Sequence, residues 1–184
     1  MIDTEYLDKF ESNLTEELLR LCTNYKMLNG VLLETEDIVG QWGKLAPEYM
    51  VDAVQQIKDY PTVSVAWAAY LGMAVAKGWD TDWETFQAMN YNQYYGTRGF
   101  DDMDEHILYN ILSFIPEGED TKQVENMIRR CGETSVSLIR HEHIDPQTPL
   151  AFHVFARACR SMFRIGAAIE LLRLGYKFEK MYLN

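Results

Sequence analysis

The sequence predicts an all-α protein, a single-domain antiparallel bundle of about seven helices that spans residues 1–184. Three observations predict this class. Apolar residues recur at steps of three and four along most of the chain, which is the period of a buried helix face. No segment of strand length alternates apolar and polar residues between turn signals. No internal repeat or linker rich in Pro, Gly or Ser divides the chain, so we expect neighbouring helices joined by short turns.

The first third of the chain is predicted to hold two helices separated by a loop. An unbroken apolar stripe indicates a long helix over about residues 3–29. Residues 30–46 carry three glycines and no sustained period, which favours a loop with one short turn. Pro47 suits a first helical turn and predicts a short helix that ends before Pro61.

The middle of the chain is predicted to hold a buried helix and a capped one. Residues 62–77 are strongly apolar, and small residues recur there every four positions, a spacing that allows close helix approach. Because this stretch is shorter than the roughly 20 residues of a membrane span, we expect a buried helix and no membrane association. Thr81 and Glu84 match a capping box and predict a helix that runs to about Tyr95.

Three further helices are predicted in the last part of the chain. Acidic residues from Asp101 onward suit the first turn of a helix that ends before Pro116. Apolar spacing predicts the next helix over about residues 120–142. The last helix is expected over about residues 149–174, with Gly175 as its stop.

The charge of the chain is acidic and unevenly distributed. The formal net charge is −11, and because phosphate binding needs a basic face we expect no nucleic-acid partner. Residues 1–120 hold 22 acidic and 7 basic side chains, whereas residues 121–184 hold 6 acidic and 10 basic ones. We therefore expect cationic C-terminal helices to dock on acidic N-terminal ones, either within the chain or in a neighbouring subunit.

The cysteines and the start of the sequence indicate a cytoplasmic protein. Cys22, Cys131 and Cys159 are far apart and form no CxxC pair, so we expect three reduced thiols packed as small apolar residues. Residues 1–5 are acidic and lack the basic start of a secretory signal.

A first candidate site is a metal centre formed by His106, His141, His143 and Asp102. Imidazole and carboxylate ligands suit zinc, iron or manganese, and such a centre would make the protein a metal-dependent hydrolase. The sequence contains neither an HExxH nor an Glu-x-x-His pattern. The alternative is that the histidines near residue 141 stabilise a helix C-terminus, so we expect no cofactor and keep a transition metal as the alternative.

A second candidate site lies on the last helix, where four cationic or titratable residues fall in one row. The row consists of His153, Arg157, Arg160 and Arg164. Glu170 is the only acid on this apolar helix, so the guanidiniums need partners from elsewhere. Those partners are carboxylates of the same chain, a partner subunit, or a small anionic ligand held in bidentate fashion.

Aromatic residues between Trp79 and Tyr95 make a third feature. Trp83 and Tyr94 are candidates for a ligand pocket beside the arginine row or for a protein interface. The alternative is that the aromatic side chains pack around a helix corner.

These observations favour a non-enzymatic protein–protein interaction module. No nucleophile elbow and no phosphate-binding loop occurs in the sequence. The apolar last helix with its arginine row suggests a protein partner or a second copy of the chain in a homodimer. The alternatives are a binder of, or enzyme acting on, a small anionic ligand, and the metal-dependent hydrolase.

Overall fold

The structure is a computed structural model that describes residues 2–177, and this range contains seven α-helices and no strand. In chain order the helices are α1 (Thr4–Asn24), α2 (Glu36–Gln56), α3 (Pro61–Phe86), α4 (Asn92–Tyr95), α5 (Met103–Glu105), α6 (Glu119–His141) and α7 (Pro149–Arg173). The predicted all-α helical bundle is confirmed. Within the same range, no helix is both long enough and apolar enough to cross a membrane.

The core is organised around a very close contact between α3 and α7. A Cβ atom added at Gly166 would lie 1.9 Å from the carbonyl oxygen of Ala69, and one at Gly72 would lie 2.0 Å from that of Phe163. The two backbones therefore touch at positions where only glycine fits. On the outside of this pair, α2 and α6 pack against α3, while α1 packs against α7. The small residues predicted to allow close approach do so inside the bundle.

The predicted loop over residues 30–46 and the predicted helix start at Pro47 are both wrong. Helix α2 begins earlier, where the hydroxyl of Thr35 accepts a hydrogen bond from the backbone N–H of Ile38 at 3.1 Å. The helix continues through Pro47, which lacks the N–H that would bind the carbonyl of Gly43. Both residues are exposed, so water can bind that carbonyl and the helix tolerates the proline.

The first helix is shorter than the predicted range of 3–29. Helix α1 ends at Asn24, and the chain reverses at Lys26, whose φ of 63° lies in the left-handed region. After this turn, Leu28 returns to the core and is 2% exposed. The apolar pattern therefore extends past the end of α1 because the turn that follows the helix also buries a residue, Leu28.

The boundary predicted at Gly78 and the capping box at Thr81 are not present. Helix α3 runs past Gly78 and bends at Asp82, which adopts an extended conformation. The hydroxyl of Thr81 donates instead to the carbonyl of Lys77 at 2.8 Å. Gly78 makes room for the side chain of Phe86 after the bend, since a Cβ at Gly78 would lie 2.7 Å from the Cβ atom of Phe86.

The segment after α3 is less regular than the two helices predicted for it. It contains the short helices α4 and α5, a 3-10 turn at Phe100–Asp102 and a π-helical stretch at His106–Ile111. By contrast, α6 and α7 match their predicted ranges closely. Helix α7 has the expected start, with the Thr148 hydroxyl accepting from the N–H of Ala151, and the expected glycine after its end, with φ of 96° at Gly175.

Candidate functional site

The arginine row of α7 faces the carboxylates of α1. Glu11 is only 5% exposed and lies between two guanidiniums of the row. Arg160 donates from Nε to Oε2 of Glu11 at 2.6 Å and from a second nitrogen to Oε1, so this pair is bidentate. Arg157 donates to Oε1 of Glu11 at 2.9 Å and to Asp8 at 2.7 Å. The expected docking of cationic C-terminal residues on an acidic N-terminal helix is confirmed.

Arg164 completes the row and also has carboxylate partners. It donates to the two oxygens of Glu34 at 2.9 and 3.1 Å and lies 4.0 Å from Glu11. An anionic ligand would therefore have to displace a carboxylate of the chain from each of the three arginines. His153 lies one turn before the arginines, is half-buried, and contacts the ring of Phe152 at 5.6 Å. Internal ion pairs thus explain the row without an external ligand.

Two of the four predicted metal ligands, His106 and Asp102, are held by other side chains. Nε2 of His106 donates to the carbonyl of Gln93 at 3.2 Å, and Nδ1 accepts from the amide of Asn110 at 3.0 Å. Asp102 accepts from Arg98 at 2.9 Å. Both ring nitrogens of His106 are therefore used within the fold.

The other two predicted metal ligands lie at the C-terminal end of α6. Nδ1 of His141 donates to the carbonyl of Ser137 at 2.7 Å, and His143 follows the helix with a φ of 53°. Between residues 2 and 177, no three His, Cys, Asp or Glu side chains form a group that could hold a metal ion. The metal centre of His106, His141, His143 and Asp102 is thus not assembled, because spacing within a segment does not bring two segments together.

The two aromatic candidates pack in the fold. Tyr94 in α4 is 2% exposed, and burial raises its pKa to about 12. Trp83 follows the bend in α3 and is partly buried against the core. In the described part of the chain, neither side chain forms a hydrogen bond or a ring contact with the arginine row. The structure therefore does not join these aromatics and the arginines in one pocket.

A groove of about 590 Å³ lies between the first half of α3 and the facing side of α6. Its α3 wall is apolar and aromatic and includes Val63, Trp67 and Tyr70. Its rim carries the polar and charged side chains of Asp104, Lys122, Glu125, Asn126, Arg129 and Glu133. The two helices are in close contact at Gly132, where a Cβ would lie 3.0 Å from a methyl carbon of Thr62.

Two polar atoms in the aromatic wall of this groove lack hydrogen-bond partners. Tyr70 is 3% exposed, yet its hydroxyl forms no hydrogen bond with any residue from 2 to 177. The indole nitrogen of Trp67 is likewise unpaired, and of the two atoms it is the one that is fully buried. The two rings meet edge to face, with centroids 5.4 Å apart. Because folded proteins satisfy nearly all buried polar groups, the unpaired indole N–H indicates a place where another molecule supplies a partner.

The groove also carries uncompensated negative charge beside Tyr70. Burial, together with the neighbouring carboxylates of Glu105 and Glu125, raises the pKa of Asp104 to about 6. Burial, Asp104 and Glu125 together raise the pKa of Tyr70 well above its usual value. Across residues 2–177, no lysine, arginine or histidine forms an ion pair with Asp104 or Glu125. The half-buried carboxylates of Asp104 and Glu125 and the buried ring of Tyr70 therefore form an acidic end of the groove.

No sequence pattern predicted this groove, because its lining residues come from separate segments of the chain. Trp67 and Tyr70 lie in the apolar stretch that predicts a buried helix, and Asp104 lies where an acid favours the start of a helix. Only the packing of α5 and α6 on α3 brings Glu125 beside them. A contact between residues this far apart in the sequence produces no motif with a fixed spacing, so the sequence alone does not show it.

Comparisons with known proteins give no relative for this chain. No protein-family model, no curated protein and no solved structure matches it. The fold and the groove are therefore the basis of the functional proposal.

Proposed function

We propose that this protein is a non-enzymatic interaction module that binds a segment of another polypeptide in the groove between α3 and α6. One observation carries the proposal: two neighbouring polar groups of the groove wall, the buried indole N–H of Trp67 and the hydroxyl of Tyr70, have no hydrogen-bond partner among residues 2–177. Burying an N–H group without a hydrogen bond costs about 1–3 kcal/mol, and a partner that accepts from the Trp67 indole removes this cost.

The composition of the groove supports binding more than chemistry. An apolar wall with a polar rim is typical of the surfaces that recognise proteins, and aromatic residues are enriched in such surfaces. The groove runs between two neighbouring helices, an arrangement that accepts an extended or helical segment. Among the described residues that line it, none is a serine, cysteine or histidine.

A second copy of this chain is a poor occupant for the groove. A symmetric dimer formed groove to groove would bring Asp104 and Glu125 of both copies together, and like charges disfavour such contacts. An asymmetric contact between groove and another face would build rings or filaments rather than a dimer. The proposed partner is therefore a different protein.

Site-specific photo-cross-linking in cells tests the proposal. The Glu133→p-benzoylphenylalanine variant places the cross-linker on the exposed rim of the groove. The Val51→p-benzoylphenylalanine variant is the matched control, because Val51 is 62% exposed and lies on α2 outside the groove lining.

We expect one protein to be cross-linked at residue 133 and not at residue 51. The same protein, purified, should form a complex of defined stoichiometry with this chain in multi-angle light scattering. Equal cross-linking at both residues, or cross-links only between two copies of the chain, would contradict the proposal.

A further inference from the structure

We infer that the partner segment inserts a lysine or arginine side chain between Tyr70, Asp104 and Glu125. This inference rests on the proposed function and adds the chemistry of the bound group. It is drawn from the charge, the aromatic wall and the unpaired hydroxyl of one end of the groove.

Charge complementarity is the first argument. Asp104 and Glu125 both line the groove, and neither has an ion-pair partner in residues 2–177. The negative charge of Glu125 disfavours the ionised form of Asp104 and contributes to the raised pKa of Asp104. A cation placed between them would remove this repulsion, so the site gains more from a cationic group than from a neutral one.

The two basic residues that line the groove do not pair with Asp104 or Glu125. Arg129 lies on the rim, but it donates to Asn126 at 2.5 Å and pairs with Glu133 at 3.6 Å. Lys122 also lies on the rim and is exposed, with no carboxylate within ion-pair distance in the described chain. No cation of residues 2–177 therefore complements Asp104, and we assign this role to the partner.

The aromatic wall suits the rest of a long cationic side chain. The alkyl stem of lysine or arginine packs on apolar surface while its head group reaches a polar site. Trp67 and Tyr70 provide such a surface, and aromatic rings also attract a nearby cation. The hydroxyl oxygen of Tyr70 can accept a hydrogen bond from the head group, since ammonium and guanidinium groups are donors only. One side chain thus satisfies the charge, the apolar wall and the unpaired hydroxyl together.

A peptide titration followed by NMR tests the inference on the purified full chain. The probe is the blocked tripeptide acetyl-Leu-Lys-Leu-amide. Its neutral control carries norleucine in place of lysine, so the two peptides share a carbon chain and differ in the ammonium group. Binding is followed at the indole N–H signal of Trp67, which is identified by its loss in the Trp67→Phe variant.

The lysine peptide should shift this signal in a saturable manner and bind at least about tenfold more tightly than the norleucine peptide, the effect of one charge-assisted hydrogen bond. Asp104→Asn and Glu125→Gln should each remove most of that preference. Glu84→Gln removes an exposed carboxylate outside the groove lining and should leave it unchanged. Glu125→Gln alters an α6 surface residue, so it tests the inference even where Asp104→Asn unfolds the protein.

The outcomes separate this inference from the proposed function. If the two peptides bind equally well, the inference that the bound side chain is cationic is wrong, and the groove is an apolar docking site. No saturable shift with the lysine peptide would also overturn it. The proposed function is decided by the cross-linking result, which does not depend on the charge of the bound residue.

Discussion

Nε of Arg160 lies 2.6 Å from Oε2 of Glu11, and this ion pair joins the last long helix of the structure to the first. Glu11 is buried, and Arg157 and Arg160 both donate to it. Glu11→Gln leaves two guanidiniums without their shared charge. We expect it to lower the free energy of unfolding by about 2–3 kcal/mol, measured by urea denaturation.

Glu16→Gln is the control for this ion-pair prediction. Glu16 is an exposed residue of the same helix, and its substitution should change the free energy of unfolding by less than about 0.5 kcal/mol. Equal effects of the two substitutions would contradict a structural role for the Glu11 ion pairs.

Substitutions at Gly166, which touches Ala69, and at the exposed Gly43 should have opposite effects on stability. Gly166→Ala places a methyl group onto the Ala69 carbonyl, so we expect a loss of about 3 kcal/mol or more. Gly43→Ala lies in the exposed part of α2, where nothing is within 4 Å of the new methyl group. It should raise the free energy of unfolding by about 0.5–1 kcal/mol, because alanine favours the helix. Thermal unfolding of both variants measures the difference, and a tolerated Gly166→Ala would show that α3 and α7 are further apart.

The three cysteines should be unreactive in the folded protein. All three are buried. Burial raises the pKa of the Cys159 thiol, and the contact with Cys22 together with burial raises the pKa of the Cys131 thiol. Sγ of Cys22 and Sγ of Cys131 lie 3.5 Å apart as free thiols. Because thiolates are the reactive form, Ellman's reagent should react only after denaturation. Rapid reaction of any thiol under native conditions would contradict this burial.

Asp104 should make the stability of the protein depend on pH. Its pKa is about 6 in the fold, above its ordinary value of 3.8, because burial and neighbouring acids disfavour the charged form. Protonation therefore stabilises the fold. This stabilisation is fully present below about pH 4 and is lost as the pH rises through 6. The groups that face it are Asp102, Glu105, Glu125, Tyr70 and Tyr109.

Comparison with Asp104→Asn isolates this effect from other titrating groups. Between pH 4 and pH 7, the wild-type free energy of unfolding should fall relative to the variant by roughly 1–2 kcal/mol, a value reduced for the partial solvent exposure of the carboxyl. Parallel stability curves for the two proteins over this range would contradict a raised pKa at Asp104.

Local signals explain which parts of the fold the sequence could predict. Helix α7 was predictable because Thr148 caps its start and Gly175 follows its end. The start of α2 was missed because Gly40 and Gly43 suggested a loop. Both lie on the exposed side of a helix, where they cost some helix propensity but break no packing.

The candidate sites likewise differ in whether the sequence alone or only the folded chain reveals them. The uneven charge of the chain predicted that the arginine row would meet acidic residues, and Glu11 fulfils that prediction. Nothing local shows that Tyr70 and Glu125, which are distant in the sequence, lie close together in a groove. For the same reason, the spacing of histidines suggested a metal centre that the fold does not assemble.

Tyr70→Phe tests the groove through the stability of the free protein. The substitution removes a hydroxyl that has no hydrogen-bond partner in the described chain and leaves the ring in place. We expect the free energy of unfolding to stay the same or to rise by about 1 kcal/mol. A clear loss of stability would show that the hydroxyl already has a structural partner.

The affinity of the purified cross-linked partner for wild type and for Tyr70→Phe, measured by isothermal titration calorimetry, tests the central claim most directly. If the Tyr70 hydroxyl forms a hydrogen bond with the partner, the Tyr70→Phe variant should be at least as stable as wild type. It should bind the partner roughly tenfold more weakly. Val51→Ala, outside the groove, should bind as wild type does. Equal affinity of wild type and Tyr70→Phe would contradict the assignment of this groove as the partner-binding site.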